Sequence, residues 1–405
     1  MRSVRAEAAR ALGRVIRSGA YSNVLLGGLG SDPDDRLIRR LVYGTLRYLI
    51  RVDRLLAEAS SRPLGDIEPF LLDLLRIATW ELRFGDGAAH AAVYEAVSAA
   101  GAGRSRQAGG FVNAVLRKVQ GLDEALPEGR EGLALELGVE QWLYDHLEAA
   151  WGSKETEAFL QASLAPAART ARIRPGAEIG GRTIEGIPGA VEVDGESSGL
   201  VIQDPSSVAV GLAAAVDPGM TVLDMAAAPG GKTLHLFDQL AGRGTVIASD
   251  RHLRRVQSAR RRLLRHHADV PWLVADGRRL PFTGQVFDRV LLDAPCTGMG
   301  TLRRRPEIRQ RVGPDAPVQA GTLQRELLEA ALEVVRPNGM VVYAACTVFP
   351  EETVDVVAGL KADPPPGLPG RVAGNGWLRY VGRLALRNER LRRVCDWGRC
   401  DMRRR

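Results

Sequence analysis

Apolar residues in the first third of the chain recur every three or four positions. Val4, Ala8, Ala11, Leu12, Val15 and Ile16 fall on one helical face, with arginines on the other. Ile38, Leu41, Val42, Leu46, Leu49, Ile50 and Leu56 predict a second, longer apolar face. Residues 70–82, 89–99 and 111–119 predict further helices. The breaks carry Gly, Pro and Asp: SDPDD at 31–35, SRPLGD at 61–66, FGDG at 84–87. No strand pattern interrupts them, so residues 1–121 read as an all-α domain. Residues 122–135, with Pro127 and several charges, read as a linker. Residues 136–200 read as a mixed α/β connector, with helices near 139–150 and 154–164 and a strand candidate at 170–173.

From about residue 201 the period changes. Short apolar runs at 221–223, 245–248, 272–275 and 290–292 alternate with helical stretches at 233–240, 252–266 and 316–335. A last run leads from the Asn338-Gly339 turn toward Cys346. Strand and helix in alternation predict a parallel α/β sheet covered on both faces. Ligands bind such sheets at the C-terminal strand ends. Asp250, Asp276, Asp293, Cys296 and Cys346 all fall at that edge.

Composition narrows the choices. The 405 residues are 45% hydrophobic and 25% charged, which suits a soluble globular protein of two or three domains. No apolar stretch reaches 18 residues, so no membrane span is expected. The N-terminus lacks a signal-peptide core, and a cytoplasmic address is expected. Four cysteines make no disulfide framework, and a reducing compartment fits them. Cys395 and Cys400 have no second pair nearby, so no metal site is expected. The net charge of +7, 55 basic against 48 acidic residues, favours a polyanionic partner. The alternative is compositional bias, since nearly all the basic residues are arginine.

Three loops carry candidate chemistry. LDMAAAPGGKT at 223–233 approaches a phosphate-binding P-loop. Position 226 is Ala where that motif needs Gly, and Pro229 has no N–H to offer. A Gly-rich turn at a helix start also lets a cofactor approach closely. Asp250 is then placed for ribose hydroxyls, and Asp276 for an adenine amino group. Helix capping is the alternative use of each. LLDAPCTGMGTLRRRPEIR at 291–309 ends a strand at Asp293 and projects Cys296 from a Pro-fixed turn. Its Arg303, Arg304 and Arg305 suit a phosphate backbone, or form a solvated charge run. YAACTVFPEET at 343–353 puts Cys346 at a strand end, and Pro350, Glu351 and Glu352 look like a helix first turn.

DMAAAPGGKT, DAPCTGMG and YAACTVFPEE together resemble motifs I, IV and VI of the RNA (cytosine-C5) methyltransferases. The chain is most similar to their RsmB (Sun/Fmu) group, over roughly residues 1–362. The helical 1–121 region resembles the NusB-like RNA-binding domain of that group. The fold implied is a Rossmann-like S-adenosylmethionine-dependent methyltransferase domain at 201–362 behind an all-α NusB-like domain. The resemblance implies S-adenosylmethionine against Ala226, Ala227, Ala228, Pro229, Gly230, Gly231 and Lys232. It puts Asp250 on the ribose, Asp276 near the adenine and Asp293 at the cofactor–base junction. It implies catalytic roles for Cys346, Cys296, Asp293 and Lys232: Cys346 as the nucleophile on C6 of cytosine, Cys296 in product release. It implies small-subunit ribosomal RNA as partner; Arg303, Arg304 and Arg305 are the candidate contacts to it, and no metal and a monomer are expected.

The chain departs from the family in two places. Ala345 and Thr347 flank the motif VI cysteine, where the family has Thr and Ser. The family ends in a hairpin with an Asp-Gly-aromatic element. Residues 363–405 are instead an atypical Arg-rich tail, with no clean strand pattern after Trp377. That predicts a divergent or frameshifted end, with the last strands missing or replaced. Two rival functions follow: a DNA cytosine-C5 methyltransferase using Pro295-Cys296, and a catalytically impaired RNA-binding or ribosome-assembly factor.

Overall fold

The computed structural model describes residues 3–102, 106–177, 181–194, 199–360, 362–363 and 383–387. They form two compact units. One comprises Met1–Pro166 and Thr301–Pro314; the other comprises Ala167–Gly300 and Asp315–Arg405.

The first unit is helical. Helices Val4–Arg17, Pro33–Arg47, Leu49–Ala59 and Pro69–Arg83 pool their apolar faces with those of Ala89–Gly101 and Arg106–Gly121. Leu12, Leu41, Leu56, Leu74, Ile77 and Leu116 are fully buried there. Helix starts follow the sequence signals: Ser3 caps the first helix, and Asp32 accepts from Asp35 N ahead of Pro33. Arg5, itself buried, is held by both carboxylate oxygens of Glu81 at 2.7 and 2.8 Å. The predicted long face at 38–56 is two helices, because the chain bends at Tyr48, whose ring stacks on Phe84.

The predicted linker at 122–135 contains the start of a helix, Gly129–Glu136. The helices predicted in the connector, Gln141–Trp151 and Ser153–Ser163, lie in the helical unit, and its strands lie in the sheet unit.

The sheet unit opens with a small antiparallel sheet: β1 (Thr170–Ile173), β2 (Arg182–Thr183), β3 (Ala190–Glu192) and β4 (Leu200–Ile202). The larger sheet comprises β5 (Thr221–Met225), β6 (Thr245–Asp250), β7 (Trp272–Val274), β8 (Phe287–Asp293), β9 (Val335–Ala344), β10 (Ala362–Asp363) and β11 (Arg383–Arg387). Its order is β10-β11-β9-β8-β5-β6-β7. β5 to β9 pair in parallel, so their C-terminal ends share one edge. Alternate residues feed two cores. Val222, Leu291 and Val342 face the side packed by Leu234, Leu236 and Leu263. Leu223, Leu292 and Tyr343 face the side packed by Leu327, Leu328 and Ala331. Burial on both faces explains the continuous apolar runs in the sequence. The chain runs from β5 outward to β6 and β7, then returns to place β8 on the other flank of β5. Such a reversal opens a crevice at the strand ends.

Two expectations change. β9 starts at Val335, ahead of the predicted Asn338-Gly339 turn, and Asn338 takes a positive φ of 65° within it. The Arg-rich tail supplies a strand: β11 runs antiparallel to β9, with Arg383 opposite Ala344, and β10 pairs onto β11. At Arg383–Arg387 the backbone is thus extended where no strand was expected. Cys395 and Cys400 lie outside the described residues. Among the described residues, no helix is long and apolar enough to cross a membrane.

Candidate active site

The shared strand edge gathers the predicted site residues. Residues 226–230 connect β5 to the helix Gly231–Leu240. Ala226 and Gly230 take positive φ values of 54° and 91°. A Cβ at Gly230 would sit 2.5 Å from Leu263 Cδ1, so only glycine lets the loop lie this close to the neighbouring helix. Ala227 N donates to Ser249 O at 2.8 Å, and Arg255 donates to Ala228 O at 2.6 Å. These bonds fix the loop ahead of a helix start that has no side-chain cap.

The acids behind the loop differ in how they are used. Asp250 is 2% exposed. Its Oδ1 accepts from His252 N at 3.0 Å, while Oδ2 makes no hydrogen bond and lies 3.4 Å from Arg255 Nη1. Asp276 is partly exposed and accepts from Arg278 through backbone and guanidinium, which holds its carboxyl well below the usual range. Asp224, which has no counterpart among the predicted residues, is fully buried at the end of β5. Its Oδ2 accepts from Thr233 Oγ1 at 2.6 Å, and its Oδ1 has no partner. Burial pushes this carboxyl up to about 7, against the Thr233 hydrogen bond and helped by the charge of Asp293.

The remaining candidates meet beside β8 and β9. Lys232 Nζ donates to Asp293 Oδ2 at 2.5 Å. Burial pulls the Lys232 ammonium down, but Asp293, Cys346 and Asp224 attract it and the net shift is upward. Cys296 and Cys346 bring their sulfurs to 3.1 Å. Between Gly339 and Phe349 every residue is buried except Cys346, which is exposed. Cys296 is half-buried. The hydrogen bond to Cys346, then burial, then the charges of Cys346, Glu352 and Asp293 push the Cys296 thiol well above its ordinary value. These causes favour the protonated form of the Cys296 thiol.

Pro350, Glu351 and Glu352 form one 3-10 turn rather than the start of a longer helix. Glu352 is fully buried and accepts from Thr297 N at 2.8 Å, Thr297 Oγ1 at 2.5 Å, Thr347 Oγ1 at 2.7 Å and Gln324 Nε2 at 3.1 Å. Gln324 Nε2 also donates to Pro295 O, and the Tyr343 hydroxyl lies 2.8 Å from Gln324 Oε1. Gly300 N donates to Cys346 O at 3.0 Å. The spacing of acids in Pro-Glu-Glu resembles a helix start, which hides this buried use from the sequence.

Arg303, Arg304 and Arg305 belong to the segment Thr301–Pro314 of the helical unit. Arg303 donates to Pro166 O at 2.7 Å, and Arg305 lies over the Tyr21 ring at 4.8 Å. Nearby, Glu307 accepts from Ser22 N and Oγ, and Arg309 is buried against Ser163. The charge run is thus largely engaged within its own unit. Among the described residues, no cluster of His, Cys, Asp and Glu is arranged to hold a metal ion.

A parallel sheet with this reversal, a Gly-rich first loop and acids at successive strand ends, set behind a helical domain, defines a Rossmann-like methyltransferase. The family described as 16S rRNA methyltransferase RsmB/F matches residues 212–364, and the NusB family matches residues 2–121. The chain is 32% identical to ribosomal RNA small subunit methyltransferase B of Pseudomonas putida, over 95% of each chain. It is 30% identical to the protein of the same name from Sodalis glossinidius, over 90% of each. Among solved structures it is similar to PH0851, with a TM-score of 0.78, 24% identity and 95% and 97% coverage. It is also similar to NSun6 from Pyrococcus horikoshii, with a TM-score of 0.52, 17% identity and 60% and 96% coverage. The chain belongs to the ribosomal RNA small subunit methyltransferase B family.

Proposed function

We propose that this protein methylates C5 of a cytosine in small-subunit ribosomal RNA through a covalent bond from Cys346 to C6. The observation that carries this is the contrast between the two sulfurs: Cys346 is exposed, and Cys296 beside it is half-buried and kept protonated.

The residues at the strand edge fit S-adenosylmethionine. Asp250 Oδ2 is a buried acceptor that makes no hydrogen bond, only a 3.4 Å ion-pair contact with Arg255, and it suits a ribose hydroxyl. Loop residues 226–232 leave room at a helix N-terminus, and Asp276 stands two residues beyond β7 for the adenine. Bound there, the cofactor supplies an electrophilic methyl group on sulfonium. Relatives named for ribosomal RNA methylation support the substrate class.

C5 of cytosine is a poor nucleophile by itself. Addition of the Cys346 thiolate to C6 forms an S–C6 bond and leaves C5 enamine-like. Lys232, whose positive charge reaches Cys346, favours the thiolate. Asp293 takes the N3/N4 edge of the ring and steadies the charge that develops there. After C5 is alkylated, a base removes its proton, the C5–C6 double bond re-forms and the S–C6 bond breaks. Cys296, 3.1 Å from Cys346, stands where it can assist that elimination. The target base must be unstacked to reach the edge. Arg303, Arg304 and Arg305, each partly exposed, are assigned to phosphate contact. The DNA-type alternative needs Cys296 as the nucleophile, and the burial and charges around that thiol oppose it.

The test is methyl transfer from labelled S-adenosylmethionine to unmodified small-subunit rRNA and, separately, to duplex DNA. Label in 5-methylcytosine of the RNA alone is expected. Label in DNA, or on another atom of the RNA, overturns the proposal.

A further inference from the structure

Glu352 closes the stretch that carries Cys346, six residues beyond that cysteine, and it ties the two cysteine loops together. Cys296 is followed by Thr297, and Cys346 by Thr347. Both threonine hydroxyls end on the same carboxylate oxygen, Oε1, at 2.5 and 2.7 Å. The other oxygen takes Thr297 N and Gln324 Nε2. A carboxylate offers about four acceptor sites, and four donors converge on this one. Gln324 extends the brace by donating to Pro295 O, the residue before Cys296. All of it is shut away from water at the level of Glu352, Thr347 and Gln324. The separation of the two sulfurs is therefore set by side chains behind them, since each loop alone has no regular structure to fix it.

We propose that Glu352 is a positioning residue of the reaction, a buried brace whose bonds to Thr297 and Thr347 hold Cys296 and Cys346 in register. The proposal rests on the Cys346 chemistry above, but the brace itself is testable without RNA. Glu352 carries charge as well as geometry, and that charge is among the causes keeping the proton on Cys296. The same brace gives Thr347 a purpose: its hydroxyl is what the position needs, so a serine serves equally.

The test compares Thr297→Val/Thr347→Val, the matching double serine variant and Glu352→Ala, each checked for folding by circular dichroism. The first readout is iodoacetamide labelling of the RNA-free protein, with peptides resolved by mass spectrometry. Wild type and the serine variant are expected to label Cys346 ahead of Cys296. The valine variant is expected to lose that preference by roughly fivefold or more as the loops part. The second readout is methyl transfer, where kcat of the valine variant is expected to fall by about tenfold or more, with KM for S-adenosylmethionine within about twofold. If Glu352→Ala does not fold, the valine variant decides alone. Unchanged labelling and unchanged kcat in a folded valine variant overturn the brace. Lost labelling preference in a protein whose wild type transfers no methyl group to RNA supports the brace and sinks the proposed function instead.

Discussion

The two halves of the site are built on opposite plans. On the cofactor side, buried acceptors are left without donors: Oδ2 of Asp250 and Oδ1 of Asp224. On the cysteine side, Glu352 has four donors, and a single side chain, Cys346, is left facing out of an otherwise buried run. A buried carboxylate oxygen left without a hydrogen bond costs free energy that a ligand's hydroxyl can recover. A satisfied one gives rigidity and asks nothing of a ligand. On the proposed reading, the difference separates a region that binds from a region that positions. Substitutions should accordingly act on affinity in one half and on turnover in the other.

The largest effect is expected at Cys346. Cys346→Ala removes the covalent step, and methylation should fall by on the order of 10^4-fold or more, with S-adenosylmethionine affinity preserved in a direct titration. Lys232→Met takes away the cation between Asp293 and Cys346, and a loss of about 10^2–10^3-fold in kcat is expected from steady-state kinetics. Lys232 touches both halves, so an effect confined to KM would break the division drawn here.

On the binding side the effects are smaller. Asp250→Asn should weaken S-adenosylmethionine by roughly tenfold in calorimetry, with kcat little changed. Asp276→Asn should weaken it by no more than about threefold, because Asp276 is partly exposed and already bonded to Arg278. Equal effects at the two positions would remove the case for a buried orphan acceptor.

The smallest effect is on stability. Asp224 has its folded value raised to about 7, so folding favours its protonated form. That contribution is complete below the unfolded value, is lost as pH rises through about 4 to 7, and is absent above it. Asp224→Asn mimics the protonated form. Its melting temperature should gain on wild type by roughly 2–4 °C between pH 5 and pH 8 in scanning calorimetry. A parallel pair of curves would contradict the burial of an uncompensated carboxyl.

Much of this was legible in the chain because periodicity and strand ends are local signals. The helical domain, the parallel strands and the line of Asp250, Asp276, Asp293, Cys296 and Cys346 follow from apolar spacing and loop chemistry. What was hidden depends on distance in sequence. Glu352 looks like a helix-start acid until Thr297, 55 residues away, is found bonded to it. Asp224 sits inside a quoted motif, but only burial on both faces of the sheet gives it an altered carboxyl. Arg303 and Arg305 look like free charge until Pro166 and Tyr21 are seen against them. The strand at Arg383–Arg387 alternates Leu384 and Leu386 with Arg383, Ala385 and Arg387, but five residues in an Arg-dense stretch are too short a signal to stand out; pairing beside β9 supplies it.

The central claim is that Cys346, and not Cys296, makes the bond to the base. It is tested by incubating Cys296→Ala and Cys346→Ala with S-adenosylmethionine and unmodified small-subunit rRNA, then resolving protein–RNA adducts on denaturing gels. Cys296→Ala should accumulate a covalent adduct and Cys346→Ala should form none. An adduct that persists without Cys346 and requires Cys296 would contradict the account.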